Sequence, residues 1–454
     1  MSRPVRRVLL FTLVVLVAGA FAAWAYQIFF ADRVQTEPVR IELERKTFEG
    51  IAFEVEYNAF EGINLRISSW QDVIQFVRGD EVLECDAGAL FVNGNDLPDV
   101  RTGDAVRWNL SGPLLINGQP AAPHPIQTTK LDAAATPFEW MPLPSGAPRD
   151  TLSVAWVGKS RLLVAAHGDG ALRIWDADKA RVVRMIVLDP PSPRPPTVGP
   201  PYLGQRAAVS PDGQSIASLF YRGKVITLSN VADGAKKAEF AEPNGKPNEV
   251  LFAANDWLLE TDGDRLLARK LDAKEPIPLG TVHTQMNPAL AYSPQGSLLA
   301  WNDGSAIHGG VVHFKDARAE VVPIGRTIAP VRAEGCLAFS ADGNLLAVFN
   351  GTNRLALYDA KTFDRTRALH WRGTLRDEAT TITALAFSPD GLTLAVGAGK
   401  TLRLYDVPSG RERAWLPCEP VRSLAYSADG RTLAVGVRYA PGLAVWDTAD
   451  LKAK

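Results

Sequence analysis

Few side chains in this sequence are of types and spacings that could do chemistry. The six histidines, His124, His167, His283, His308, His313 and His370, contain no HExxH pair, the arrangement that puts two zinc ligands and a general base on one helical face. His308 and His313 flank Gly309-Gly310, which reads as two strands facing across a glycine turn and is the one place for a two-histidine metal site. Cys85, Cys336 and Cys418 are too few for a disulfide framework and too widely spaced for a zinc pattern, so they read as small buried residues. Gly399-Lys400-Thr401 looks like the end of a phosphate-binding loop. The full motif needs glycine at position 394, where Leu394 stands, and no helix pattern follows, so the triplet reads as a hairpin turn. There is no GxSxG elbow to raise a serine nucleophile. Asp72, Glu81, Glu84 and Asp86 read as carboxylates on solvated loops rather than an acid-base pair. No catalytic residue, cofactor-binding residue or metal ligand is assigned.

Composition narrows the classes further. The 454 residues carry 49 Lys+Arg against 50 Asp+Glu, a net charge of -1, which removes the broad basic field of a nucleic-acid binder. A hydrophobic fraction of 46% and a charged fraction of 22% exclude a disordered chain and a multi-span transporter. With 37 Gly and 32 Pro, the chain turns often.

Arg3, Arg6 and Arg7 precede an apolar run from Val8 to Phe30, broken only by Thr12 and Gln27. At 1.5 Å per residue this run spans the ~30 Å hydrocarbon layer. It reads as a transmembrane helix, residues 8–30, behind a basic head, residues 1–7. The alternative is a cleaved signal peptide, with Ala23-Trp24-Ala25 as the site. Because the apolar run continues past that site, the anchor is the first reading. Arg33, Arg40, Arg45 and Lys46 follow the helix, so basic residues do not separate its two sides. With so short a head, both readings export the bulk of the chain: periplasmic in a bacterium, or secreted if the signal is cleaved.

Residues 35–130 read as a small β-sandwich-like domain. Alternating Ile51, Phe53, Val55, Tyr57 and Ile63, Leu65, Ile67 each follow a Phe-Glu-Gly triplet, at 48–50 and 60–62. They suggest two consecutive strands of one design, placed to pair. Asn93-Gly94, Ser111-Gly112 and Asn117-Gly118 mark turns, because Asn and Gly tolerate positive φ.

The dominant signal is repetition. One string returns as Ser210-Pro211-Asp212-Gly213, Ser293-Pro294-Gln295-Gly296, Ser340-Ala341-Asp342-Gly343, Ser388-Pro389-Asp390-Gly391 and Ser427-Ala428-Asp429-Gly430. Successive copies lie 83, 47, 48 and 39 residues apart, the wide gap hiding one degenerate unit. A short apolar strand precedes and follows each copy. An aromatic-Asp pair ends several units: Trp175-Asp176, Tyr358-Asp359, Tyr405-Asp406 and Trp446-Asp447. Seven units result, the first starting near Val154.

On these turns and endings, residues 140–454 resemble the WD40 family, in its diverged members where the SPDG turn outlasts the WD pair. The resemblance implies an all-β fold: a seven-bladed β-propeller over residues 136–454, preceded by the N-terminal helix and the small β-domain. The Gly-His dipeptide of typical family repeats is absent, so the family's Asp-His-Ser/Thr-Trp network is not expected in its usual shape, and Asp169 reads as a plain turn residue. Only seven residues follow Asp447, so the outer strand of the last unit is expected from upstream. Phe138–Pro142 (FEWMP) resembles Arg413–Pro417 (RAWLP), which holds the outer-strand position of the sixth unit.

The resemblance further implies a non-enzymatic interaction scaffold whose partners are proteins, with no cofactor; the apolar run makes it membrane-anchored, with the bilayer as a partner through residues 8–30, and the balanced charge gives no nucleic acid. The alternatives are a hydrolase or lactonase-like propeller enzyme, which would need acidic or histidine residues repeated at equivalent loops, and an extracytoplasmic ligand sensor. Proline-rich Pro190–Pro201 (PPSPRPPTVGPP) reads as an extended loop. With Gly373–Thr381 it puts the long insertions on the propeller face opposite the SPDG turns. Binding residues concentrate on variable loops held by a rigid scaffold, so the contact candidates are Arg194, Trp371 and Arg372, with Trp257, Trp301 and Tyr439 as further exposed aromatics.

Overall fold

The computed structural model describes strands and turns between Ile41 and Thr448. Residues 1–40, 59–63, 122–128, 131–138, 143–149, 189–205, 221–224, 242–246, 283–289, 329–335, 350–354, 370–381 and 449–454 lie outside the description, as do gaps of one to four residues elsewhere. The expected helix 8–30 therefore lies outside it, and no described helix is long and apolar enough to cross a membrane. Described residues fall into two compact units. The first lies within Met1–Ile67, Ile74–Glu84 and Pro98–Ala122, the second within Ser68–Val73, Cys85–Leu97 and Pro123–Lys454.

Upstream of the repeats the strands form two five-stranded sheets. In the first, Ile51–Asn58 pairs antiparallel with Ile41–Phe48 and parallel with Ala105–Trp108. Its Ile51, Phe53 and Val55 are buried, while cross-strand ion pairs Arg45–Glu54 (2.9 Å) and Arg107–Glu56 (2.8 Å) hold the polar positions. The two runs that follow Phe-Glu-Gly triplets do not pair with each other, as the sequence suggested, because Asn64–Ser68 starts the second sheet. Phe53 packs on Phe76 of that second sheet at 5.5 Å. A half-buried strand must cover its apolar face with another layer, and pairing with an edge neighbour does not do that.

The repeats build seven four-stranded antiparallel blades, at 151–187, 206–241, 247–281, 290–323, 336–369, 382–417 and 421–447. Their first strands are Thr151–Trp156, Arg206–Val209, Pro247–Ala254, Leu290–Ser293, Cys336–Phe339, Ile382–Phe387 and Val421–Tyr426. Each packs against the next and the seventh against the first, so the ring closes with these strands innermost. Stacking buries both faces of every blade. Blade 7 takes its outer strand from upstream, as the FEWMP–RAWLP likeness anticipates: Glu139–Pro142 pairs antiparallel with Gly442–Asp447. The two ends of the propeller sequence thus share one sheet. Thr129–Lys130 adds a short parallel strand outside Arg411–Pro417 of blade 6.

Turn chemistry explains why these short strands form. In blade 6 the Ser388 hydroxyl donates to Asp390 Oδ1 at 2.5 Å and accepts from the Thr393 backbone N–H at 3.0 Å, while Asp390 accepts from the Leu392 N–H. Blades 2, 5 and 7 repeat this with Ser210/Asp212, Ser340/Asp342 and Ser427/Asp429, each at 2.5 Å. The serine hydroxyl and the backbone N–H two residues on hold Asp212, Asp342 and Asp429 below the usual carboxylate range. Such side-chain-to-backbone bonds fix the hairpin locally. Trp175, Tyr405 and Trp446 of the aromatic-Asp pairs are fully buried between blades. The aspartates that follow accept turn N–H bonds, as Asp406 does from Ser409 and Asp359 from Lys361.

Blades are also tied to one another. Arg184 of blade 1 donates to Val231 O of blade 2, and Arg367 of blade 5 donates to Ser409 O of blade 6. Each arginine stem lies over a glycine of that turn, Gly234 or Gly410, held at φ +75° and +72°. Nearer the axis, Ser423, Ser153 and Thr383 hydroxyls bond the backbone of the adjacent inner strand.

Candidate functional site

The ring has two chemically different ends. At one lie the turns from first to second and third to fourth strands, including every SPDG turn. There the polar atoms are largely satisfied locally. Two grooves open there between blades. One, of about 760 Å³ between blades 1 and 2, is lined by Val157, Lys159, Val183, Arg184 and Asp212 among others. The other, of about 380 Å³, repeats the position between blades 5 and 6.

At the opposite end lie the second-to-third hairpins and the strand ends that flank the two long insertions, 189–205 and 370–381, which themselves lie outside the described residues. Arg194, Trp371 and Arg372 lie outside the described residues, as does Tyr439. Trp257 and Trp301 are described and buried, which corrects their reading as exposed contact residues. Their rings fill the core between blades 3 and 4.

The described part of this end is polar on blades 1 to 4. In blade 1, buried Thr151 and His167 share a 3.2 Å hydrogen bond. Between blades 2 and 3, Arg206 Nη1 lies 3.2 Å from Glu249 Oε1. Burial pushes the Glu249 carboxyl up to about 7, and the Arg206 charge only partly opposes it. Away from this end, in the interior of blade 3, Glu260 and Arg269, both fully buried, form a two-pronged pair with contacts of 2.8 to 3.1 Å, and Arg269 also donates to the Lys274 carbonyl of the third-to-fourth turn. The Arg269 guanidinium also lies over the Phe240 ring of blade 2.

Blade 4 presents Asp303 and His308. His308 Nε2 donates to Asp303 Oδ2 at 2.6 Å, and its ring stacks on Trp301. Partial burial pushes the Asp303 carboxyl up. Hydrogen bonds from the Ser305 hydroxyl, the Ala306 and Ser305 N–H groups and His308 outweigh it, and hold Asp303 at about 2. Sequence reasoning missed this pair, having put His308 and His313 across a glycine turn. Both histidines instead lie on one strand, Ile307–Lys315, five residues apart and so on opposite faces. Gly309 and Gly310 lie within that strand, and both positions need glycine because a Cβ at Gly309 would overlap Phe363 of blade 5 and one at Gly310 would overlap Val321 of the next strand. No cluster of three metal-binding side chains occurs among the described residues. Burial pushes the Cys418 thiol up to about 12, leaving it protonated and unreactive. Gly399-Lys400-Thr401 forms the hairpin between Thr393–Ala398 and Thr401–Asp406 of blade 6.

Comparison with known proteins agrees with the architecture. The WD40 profile, described as "WD domain, G-beta repeat", matches residues 371–406, which run into the third strand of blade 6. No curated protein matches the sequence. Among solved structures, Kuenenia stuttgartiensis hydrazine synthase superposes with a TM-score of 0.52 at 14% identity, over 68% of this chain and 97% of that one. At that identity the likeness shows the fold alone.

Proposed function

We propose, for a chain whose repeats form a WD40-like β-propeller, that the ring is a protein-interaction platform whose partner meets the insertion-bearing end. The asymmetry of the two ends carries this reading. SPDG turns spend their polar groups on their own backbone, whereas the opposite end holds charged and polar side chains on blades 1 to 4 together with the two long insertions. In the full reading residues 8–30 anchor the chain in a bilayer and the propeller works outside the cytoplasm; the basic head and the apolar run support this.

The Asp303–His308 pair raises a hydrolase as second reading, since an aspartate orienting a histidine is half of a nucleophilic triad. The nearby hydroxyl, Ser305, is bonded to Asp303 rather than to His308, and no described side chain other than Asp303 hydrogen-bonds the histidine. The platform is therefore the stronger reading.

The test is recovery of partners by cross-linking in intact cells followed by detergent purification. Replacing Pro190–Pro201 by a short Gly-Ser turn, or Trp371 and Arg372 by Ala, should reduce the partners recovered while melting is unchanged. Recovery of the same partners in the same amounts from a folded variant contradicts the face. Protease accessibility of the propeller in cells with an intact cytoplasmic marker tests its location.

A further inference from the structure

Aligning the inner strands on their turns places equivalent positions in one layer of the ring. Four residues before each SPDG-type serine stand Arg206, Ala289, Cys336, Ala384 and Ser423. In blades 1 and 3, which lack that turn, the bulge at the start of the inner strand gives the register. Thr151/Ser153 and Pro247/Glu249 match Ile382/Ala384 and Val421/Ser423, adding Ser153 and Glu249. Leaving aside Ala289 of blade 4, which lies outside the described residues, six blades hold one layer: Ser153, Arg206, Glu249, Cys336, Ala384 and Ser423. Four of the six are small. Ser153, Cys336 and Ser423 donate to, or accept from, the neighbouring inner strand. Only the adjacent blades 2 and 3 put charges there.

We propose that Arg206, with the Thr261 hydroxyl beside Glu249, forms a binding site for one carboxylate group presented at the insertion-bearing end of the ring. Three observations support it. First, the Arg206–Glu249 contact is single, at 3.2 Å, unlike the two-pronged Glu260–Arg269 pair one strand away. Among the described residues Arg206 has no other polar partner, and a third of its side chain is exposed. A guanidinium has five donors and matches a carboxylate two-pronged. Second, Thr261 is Glu249's partner across the strand pair and fully buried, yet its Oγ1 has no hydrogen-bond partner. A buried hydroxyl without a partner is costly unless something fills the role.

Third, the groups around Glu249 favour its neutral form when an anion arrives. Arg206 faces it from blade 2, and the adjoining strand of blade 3 contributes Glu260, already paired to Arg269, and Asp262. The inner strand of blade 4, Leu290–Ser293, brings Tyr292 and no charge. With its carboxyl poised at about 7, Glu249 takes a proton from solvent as the incoming carboxylate replaces it on Arg206. No net charge is added to the buried site.

This site deepens the platform reading, since it lies at the proposed contact end. It is testable without any partner. Acetate, trialanine and trialanine amide are titrated into the full chain in detergent and followed by saturation-transfer NMR at pH 6 and pH 8. Acetate should bind about ten-fold more tightly at pH 6, from the protonated fractions of a group titrating near 7. Arg206→Gln should abolish binding, Thr261→Val should weaken it about ten-fold, and Glu249→Gln should give equal binding at both pH values. Trialanine binding without the amide identifies a peptide C-terminus, and acetate alone a small free acid; either supports a carboxylate site. Absence of binding at pH 6, pH-independent binding by the unmodified chain, or undiminished binding by Arg206→Gln overturns it. If Arg206→Gln melts early, the pH response of Glu249→Gln decides. Loss of partners from the insertion variants with acetate binding intact separates the platform from this site.

Discussion

Blades 6 and 7 and blades 3 and 4 occupy the same ring under opposite rules. Blade 6 has its SPDG turn and blade 7 the variant SADG, and both keep the buried aromatic followed by aspartate. Their SPDG-type turns hold the Asp390 and Asp429 carboxylates by a serine hydroxyl and backbone N–H groups, and a close ion pair on the described strands of blade 6, Arg403–Glu412, remains partly exposed. Blade 3 has no such turn and buries Glu249, Glu260, Asp262 and Arg269. Blade 4 replaces the aspartate of the turn by Gln295. It also runs its third and fourth strands together without the register shift that the corresponding pairs of blades 1, 2, 3, 5 and 6 share. A repeat is free to lose its local signature where its neighbours already hold the ring, and the polar groups that a functional end needs can enter there.

The sharpest break between the two classes is expected at the buried pair. Arg269→Met leaves Glu260 buried without its partner and should cost about 3–5 kcal/mol, whereas the double change Glu260→Leu with Arg269→Met should recover most of that loss. Urea unfolding of both variants checks it, and a double variant no more stable than the single one refutes the account of blade 3.

The next effect is pH-dependent. Glu249 keeps its proton in the fold to about 7, while the unfolded chain releases it near 4.3. Its contribution is therefore fully present below about pH 4, falls as pH rises to 7 and is constant beyond. The difference is on the order of 3 kcal/mol. Glu249→Gln should remove this fall. The SPDG aspartates slope the other way: their lowered carboxyls stabilise above about pH 4, and that stability is lost as acid protonates them in the fold. Melting curves from pH 3 to 8 separate the two.

Smaller effects distinguish the glycines. Gly309→Ala in blade 4 meets the Phe363 ring, a rigid obstacle, and should cost about 1–3 kcal/mol by overpacking. Gly410→Ala in the regular part places a Cβ 2.6 Å from the flexible Arg367 stem at φ +72°, for a loss of about 1–2 kcal/mol. Smallest is Ser388→Ala, about 1 kcal/mol for the lost turn bonds. Thermal unfolding of the three should rank them in that order.

The regular blades were legible because their signals are local. A serine bonding an aspartate two residues on and an N–H five residues on leaves the string Ser-Pro-Asp-Gly in the sequence, and the likeness of FEWMP to RAWLP points to the upstream strand that pairs with Gly442–Asp447 in blade 7. Glu249 was not legible, because blade 3 has no turn string to set its register and its partner Arg206 is 43 residues away. Arg206 itself had a signal: it is the charged residue at a position four before the turn serine, where Ala289, Cys336, Ala384 and Ser423 are small. Gly309-Gly310 misled because a glycine pair usually means a turn. Here the demand for glycine comes from a ring in the next blade, and local sequence carries no trace of it.

The claim that the insertion-bearing end contacts the partner is tested most directly by photo-cross-linking from single positions in cells. A photoreactive residue is placed at Ser305 or Asp264 on that end, and at Leu392 or Gln214 on the SPDG end. The account predicts cross-linked protein from Ser305 or Asp264 and none from Leu392 or Gln214. Cross-links confined to Leu392 and Gln214 would contradict it and transfer the contact to the grooved SPDG end.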